Sequence, residues 1–100
     1  LIHYHLSMVV FDLKNMNEDK YFRTSSFYLA TFLFAKGLEL VSVDKITDSK
    51  RAHFVLTDSP LRELWVERFN FGREDDPEVL VDARKLVQAI KTLKEKLYQD

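Results

Sequence analysis

Between Tyr21 and Gly37 the chain reads YFRTSSFYLATFLFAKG, and no charge follows Arg23 until Lys36. Thr24, Ser25 and Ser26 are residues that cap helix N-termini, and Thr24 is the preferred cap, its hydroxyl accepting from the free N–H groups of the first turn. Gly37 supplies a left-handed stop, and Lys36 suits the negative end of the helix dipole. The predicted helix is therefore Phe27–Lys36. Its apolar residues project around most of its circumference, so it must be covered on most sides.

After Gly37 the period of the pattern changes from helical to two. Leu38–Val43 alternates Leu38, Leu40 and Ser42 against Glu39, Val41 and Val43, and Arg51–Thr57 is rich in strand formers. The stretch between them carries Asp44, Asp48 and Ser49, which predicts a β-hairpin with a long connection. Asp58 or Ser59 then caps a helix with Pro60 at its first position, where the missing N–H costs nothing. Leu61, Leu64, Trp65 and Phe69 form its apolar stripe, and Gly72 ends it. Glu78–Val81 reads as a short strand that joins the hairpin. Asp82 caps a last helix from Ala83 to about Tyr98, striped by Leu86, Ile90, Leu93 and Leu97.

The expected fold class is α+β, a small three-stranded, mainly antiparallel sheet covered by helices, in the order αββαβα. Leu1–Asn15 alternates loosely and is expected to add an N-terminal edge strand. Met8 and Met16 are internal start candidates, and a start at Met16 makes residues 1–15 an extension to a single domain over 16–100.

Composition narrows the function classes. One hundred residues make one domain, long enough to fold without a metal or disulfide. There is no Cys, which excludes thiolate chemistry and fits a reducing cytoplasm as the expected location. Net charge is −1, so no global field points to nucleic acid or membrane. No apolar run reaches the roughly 18 residues of a membrane span.

Taken together, YFRTSSFYLATFLFAKGLELVSVD, AHFVLTDSP, ELWVERFNFG and VLVDARKLVQAIKTLKEKLY resemble a family of small uncharacterised bacterial and mobile-element proteins, a domain of unknown function. The shared pattern is Tyr-Phe-x-Thr-Ser, an apolar helix, Ala-Lys-Gly, a hairpin and a Lys-rich C-terminal helix, over roughly residues 21–98. The resemblance favours the start at Met16. Family members often carry Asp where Ser26 stands, and the resemblance implies no catalytic residues.

The candidate chemistry is sparse. His3 and His5 share a strand face but fall short of the three or four ligands zinc needs. Glu74, Asp75 and Asp76 lack the spaced oxygens and central Gly of a calcium loop, so no metal site is expected. Two glycines cannot build a phosphate-cradling loop. Asp58 and Ser59 are explained by capping. An enzyme is therefore the third-ranked class, with no catalytic residue, cofactor or small-molecule ligand expected.

Two binding readings stand ahead of it. The first is a non-enzymatic module that self-associates as a homo-oligomer, or binds a protein partner, through Phe27, Tyr28, Phe32 and Phe34. The alternative is a nucleic-acid-associated accessory protein using Arg84, Lys85, Lys91 and Lys94, with Tyr98 nearby. From Ala83 to Asp100 five cations face two anions, whereas Asp58–Asp82 holds eight acidic residues against three basic. The basic helix is thus more readily a solvated face attracted to its acidic neighbour than a phosphate-binding one.

Overall fold

The computed structural model describes residues 20–99. The N-terminal segment, with its expected edge strand and the His3–His5 pair, lies outside the described residues. Six elements follow: β1 Tyr21–Thr24, α1 Phe27–Lys36, β2 Leu40–Asp44, β3 His53–Thr57, α2 Arg62–Phe71 and α3 Ala83–Leu97. The class is α+β, with three antiparallel strands in an open sheet and the order βαββαα.

The third strand is β1, not Glu78–Val81. The sheet order is β1-β3-β2, with Phe22 opposite Leu56 and Thr24 opposite Phe54. Glu78–Val81 is held in a turn instead: the Asp76 carboxylate accepts from Glu78 N–H at 2.9 Å, and Asp76 C=O accepts from Val79 N–H at 2.9 Å. Val79 and Val81 then pack on the core as parts of a loop between two helices. Their β-branched side chains fit that role as well as a strand's, so local propensity loses to tertiary position.

Because Thr24 ends a strand, the cap of α1 moves two residues on. Ser26 Oγ accepts from Leu29 N–H at 3.1 Å, while Thr24 Oγ1 accepts from Ser26 N–H at 3.0 Å and tightens the turn into the helix. At the far end Gly37 has φ 118°. Its N–H donates to Phe34 C=O at 3.0 Å, and Leu38 N–H reaches back to Leu33 C=O at 3.1 Å. That is a Schellman stop, and it drops Leu38 into the core.

The hairpin forms as expected, with one irregularity. A bulge between Leu40 and Ser42 shifts the alternation, so Ser42 pairs with Val55 and Val43 with Phe54. Leu40 and Val43, three residues apart, therefore both face the helices. Asp44 opens the connection by accepting from Ile46 and Thr47 N–H.

α1 lies against β1 and β3, with α2 on one flank and α3 on the other. Leu29, Phe32, Leu33, Phe54, Leu56 and Leu93 make the heart of the core. α2 starts at Arg62, two residues later than the first position predicted at Pro60. Asp58 and Ser59 form the turn before it: Ser59 Oγ accepts from Leu61 N–H at 3.2 Å and Ser59 C=O from Arg62 N–H at 3.0 Å. Asp82 caps α3 as expected, accepting from Arg84 and Lys85 N–H at 2.8 and 3.3 Å.

Candidate functional site

Burial of α1 on sheet, α2 and α3 leaves Tyr28 as its one exposed residue. Of the four residues singled out on this helix, Phe32 is 3% exposed and stacks on Phe69 with ring centroids 4.7 Å apart. Phe27 is half-buried, edge-on to Phe54 at 5.8 Å. Phe34 is half-buried and lines a crevice of about 290 Å³ with Lys85 and Ala89. Tyr28 is 77% exposed.

Tyr28 stands over a groove between α1 and α3. A cavity of about 500 Å³ is lined by Phe27, Tyr28, Ile90, Lys94, Leu97 and Tyr98. A second, of about 390 Å³, is lined by Phe32, Phe69, Val79, Val81 and Leu86, with Thr31. The two share Tyr28 and Ile90, so they form one apolar groove with a waist. Thr31 adds no free polar group, because its hydroxyl donates to Phe27 C=O at 2.7 Å. Tyr98, 78% exposed, closes the far end. Among the described residues the lining therefore offers apolar surface, two phenols and one ammonium.

Pattern reading identified Tyr28 and Phe27 on one wall and missed most of the other. Leu86, Ile90 and Leu97 were legible as an apolar stripe, but not as a stripe left partly open. The sequence pattern places Val79 and Val81 in the sheet, whereas the fold makes them part of the groove wall.

The basic residues of α3 do not share one face. At about 100° per residue, Arg84 and Lys91 have nearly the same azimuth, Lys94 lies about 60° toward the groove and Lys85 about 120° the other way. Lys94 lines the groove and Lys85 the crevice beside Phe34. Arg84 sits 3.6 Å from Asp82, whose carboxyl is held below its ordinary value by the N–H groups of Arg84 and Lys85.

Several other charged groups do local structural work. In the acidic loop, the Asp76 carboxyl is lowered first by the Glu78 N–H, against some burial, and then by Arg68, which it pairs with at 3.1 Å. Trp65 Nε1 donates to Glu78 Oε1 at 3.2 Å, and Lys36 sits 5.0 Å over the Trp65 ring. Burial pushes the Asp58 carboxyl up, but Arg62 at 3.0 Å and the Ser59 N–H outweigh it and leave it lowered. Arg62 in turn lies 4.3 Å over the Phe22 ring. Asp48 is lowered by the Lys50 N–H and by His53, 3.2 Å away. Among the described residues no three His, Asp or Glu side chains converge as a metal site would require, and no helix is long and apolar enough to cross a membrane.

Residues 19–99 match the model of DUF5659, a domain of unknown function, and the chain belongs to that family. No curated protein and no solved structure matches the chain.

Proposed function

We propose that this domain is a non-enzymatic binding and assembly module whose contact surface is the groove between α1 and α3. One observation carries the reading. Two tyrosines more than three-quarters exposed, Tyr28 and Tyr98, flank a continuous apolar groove. Exposed tyrosines beside an apolar recess are typical anchors of protein interfaces. The occupant is a protein surface, with a second copy of the chain included in the class. A cytoplasmic, mobile-element setting belongs to the same proposal and is supported by the lack of Cys and by the family resemblance.

A second reading, nucleic-acid association through α3, is favoured by the place of Lys94 between the two tyrosines. Aromatic faces beside a cation also suit a single strand. Light scattering at low and high salt, with anisotropy of a labelled single-stranded oligonucleotide, separates the two. A salt-insensitive dimer lost in Tyr28→Glu supports the groove as an assembly surface. Oligonucleotide binding that weakens steeply with salt and falls in Lys94→Ala supports the second reading. A monomer that ignores the oligonucleotide leaves a partner protein as the occupant.

A further inference from the structure

We propose that the groove receives an acidic amphipathic helix of a different protein, an inference that rests on the groove being the interaction surface. Its length fits. The groove follows α3 from Leu86 to Leu97, a rise of about 16 Å and close to three helical turns. It has an apolar recess on each side of the Tyr28–Ile90 waist. A helix laid along it places apolar residues from successive turns into the two recesses, the spacing by which helices are recognised in grooves.

Charge selects the kind of helix. Among the described residues, Lys94 is the one charged side chain lining the groove, and no carboxylate lines either recess. Lys91 stands one turn before Lys94. Among the described residues neither lysine has a carboxylate within ion-pair distance. α1 contains no acid at all, and the one acid of α3, Glu95, is turned about 100° away from Lys94. Glu95 stands one turn after Lys91, about 40° from it, so Lys94 is the rim cation left without a countercharge on its own face among the described residues. A partner helix with Glu or Asp beside its apolar stripe supplies both the apolar fill and the missing countercharge.

A second copy fits less well. A two-fold contact sets this lysine-rimmed face against itself. α2 of another copy is a poor occupant as well, because it carries two acids against two bases and offers no net countercharge. The exposed apolar side chains at the two ends of α2, Leu61 and Phe71, are ten residues apart and do not form a stripe. Nucleic acid answers Lys94 but not Phe32, Phe69, Val79, Val81 and Leu86, which offer nothing to a phosphate.

The test is fluorescence anisotropy of the full chain with a labelled synthetic helix of about four turns. Its apolar residues stand at i, i+3, i+4 and i+7, with Glu flanks in one version and Lys flanks in the other. The acidic peptide is expected to bind about tenfold tighter than the basic one. The exposed pair Lys91→Glu/Lys94→Glu inverts that preference, and Tyr28→Ala weakens the acidic peptide, with circular dichroism confirming that both variants fold. Equal binding of the two peptides, or none, overturns the inference. A salt-insensitive dimer lost in Tyr28→Ala without peptide binding also overturns it, while the groove reading stands. Salt-steep binding of a single-stranded oligonucleotide in place of the peptide overturns it in favour of nucleic acid. Peptide binding indifferent to Tyr28→Ala and Ile90→Ser removes the groove reading itself.

Discussion

Arg23 Nη2 donates to Asp44 Oδ2 at 2.7 Å, joining the two outer strands of the sheet across β3. The strand register places the pair on the face away from the helices, where Arg23 stands opposite Val55 and Asp44 opposite His53. The other oxygen of the same carboxylate accepts from Ile46 and Thr47 N–H and opens the long connection to β3. One side chain thus ties β1 to β2 and shapes the hairpin between β2 and β3.

Acid is expected to loosen this arrangement. The Arg23 guanidinium, with the Thr47 and Ile46 groups behind it, holds the Asp44 carboxyl well below the ordinary value of 3.8. Asp48, Asp58, Asp76 and Asp82 are lowered as well. A carboxyl whose folded-state pKa is depressed stabilises the fold above its unfolded pKa, and that stability is lost as pH falls through the folded value. The melting temperature is therefore expected to hold near neutrality and to drop below about pH 4. In Asp44→Asn the drop between about pH 4 and pH 2 is shallower. Parallel curves for wild type and variant would show that Asp44 contributes nothing to the acid response.

Neighbours on α1 are expected to behave oppositely. Phe32 is buried and stacked on Phe69, so Phe32→Ala leaves a cavity and costs about 3–4 kcal/mol in urea unfolding. Tyr28 is largely in solvent, so Tyr28→Ala changes stability by no more than about 0.5 kcal/mol. Comparable losses for the two would mean that Tyr28 belongs to the core and not to the groove.

The ends of α1 give a third expectation. Ser26→Ala removes the acceptor of Leu29 N–H and costs about 1 kcal/mol, while Thr24→Ala spares that bond and costs less. Gly37→Ala meets no atom within 4 Å, so its cost of about 1–2 kcal/mol comes from the left-handed backbone alone. Urea midpoints of the three variants check the order. A larger loss in Thr24→Ala than in Ser26→Ala would place the cap at Thr24.

Much of the local structure was legible because its causes are local. The bounds of α1 followed from hydroxyls before Phe27 and a glycine after Lys36, the cap of α3 from Asp82, and the hairpin from a change of period at Gly37. The third strand was not legible, because Tyr21–Thr24 and Glu78–Val81 are both short and rich in residues that suit strands. Only the free edge of β3 beside Phe22, and the Asp76 turn that holds Glu78, separate them. The Val41 bulge was hidden for a similar reason, since alternation does not record an extra residue.

The candidate groove divides along the same line. The residues of α1 and the apolar stripe of α3 are written in the periodicity of the chain, and so is the cationic character of the last helix. Which of those apolar residues reach solvent depends on how helices that are neighbours in space, not in sequence, share their faces. α1 is apolar nearly all round. Packing the sheet, α2 and α3 against it decided that Phe32 is core and Tyr28 is surface. It also brought Tyr98 from the other end of the domain to the same groove.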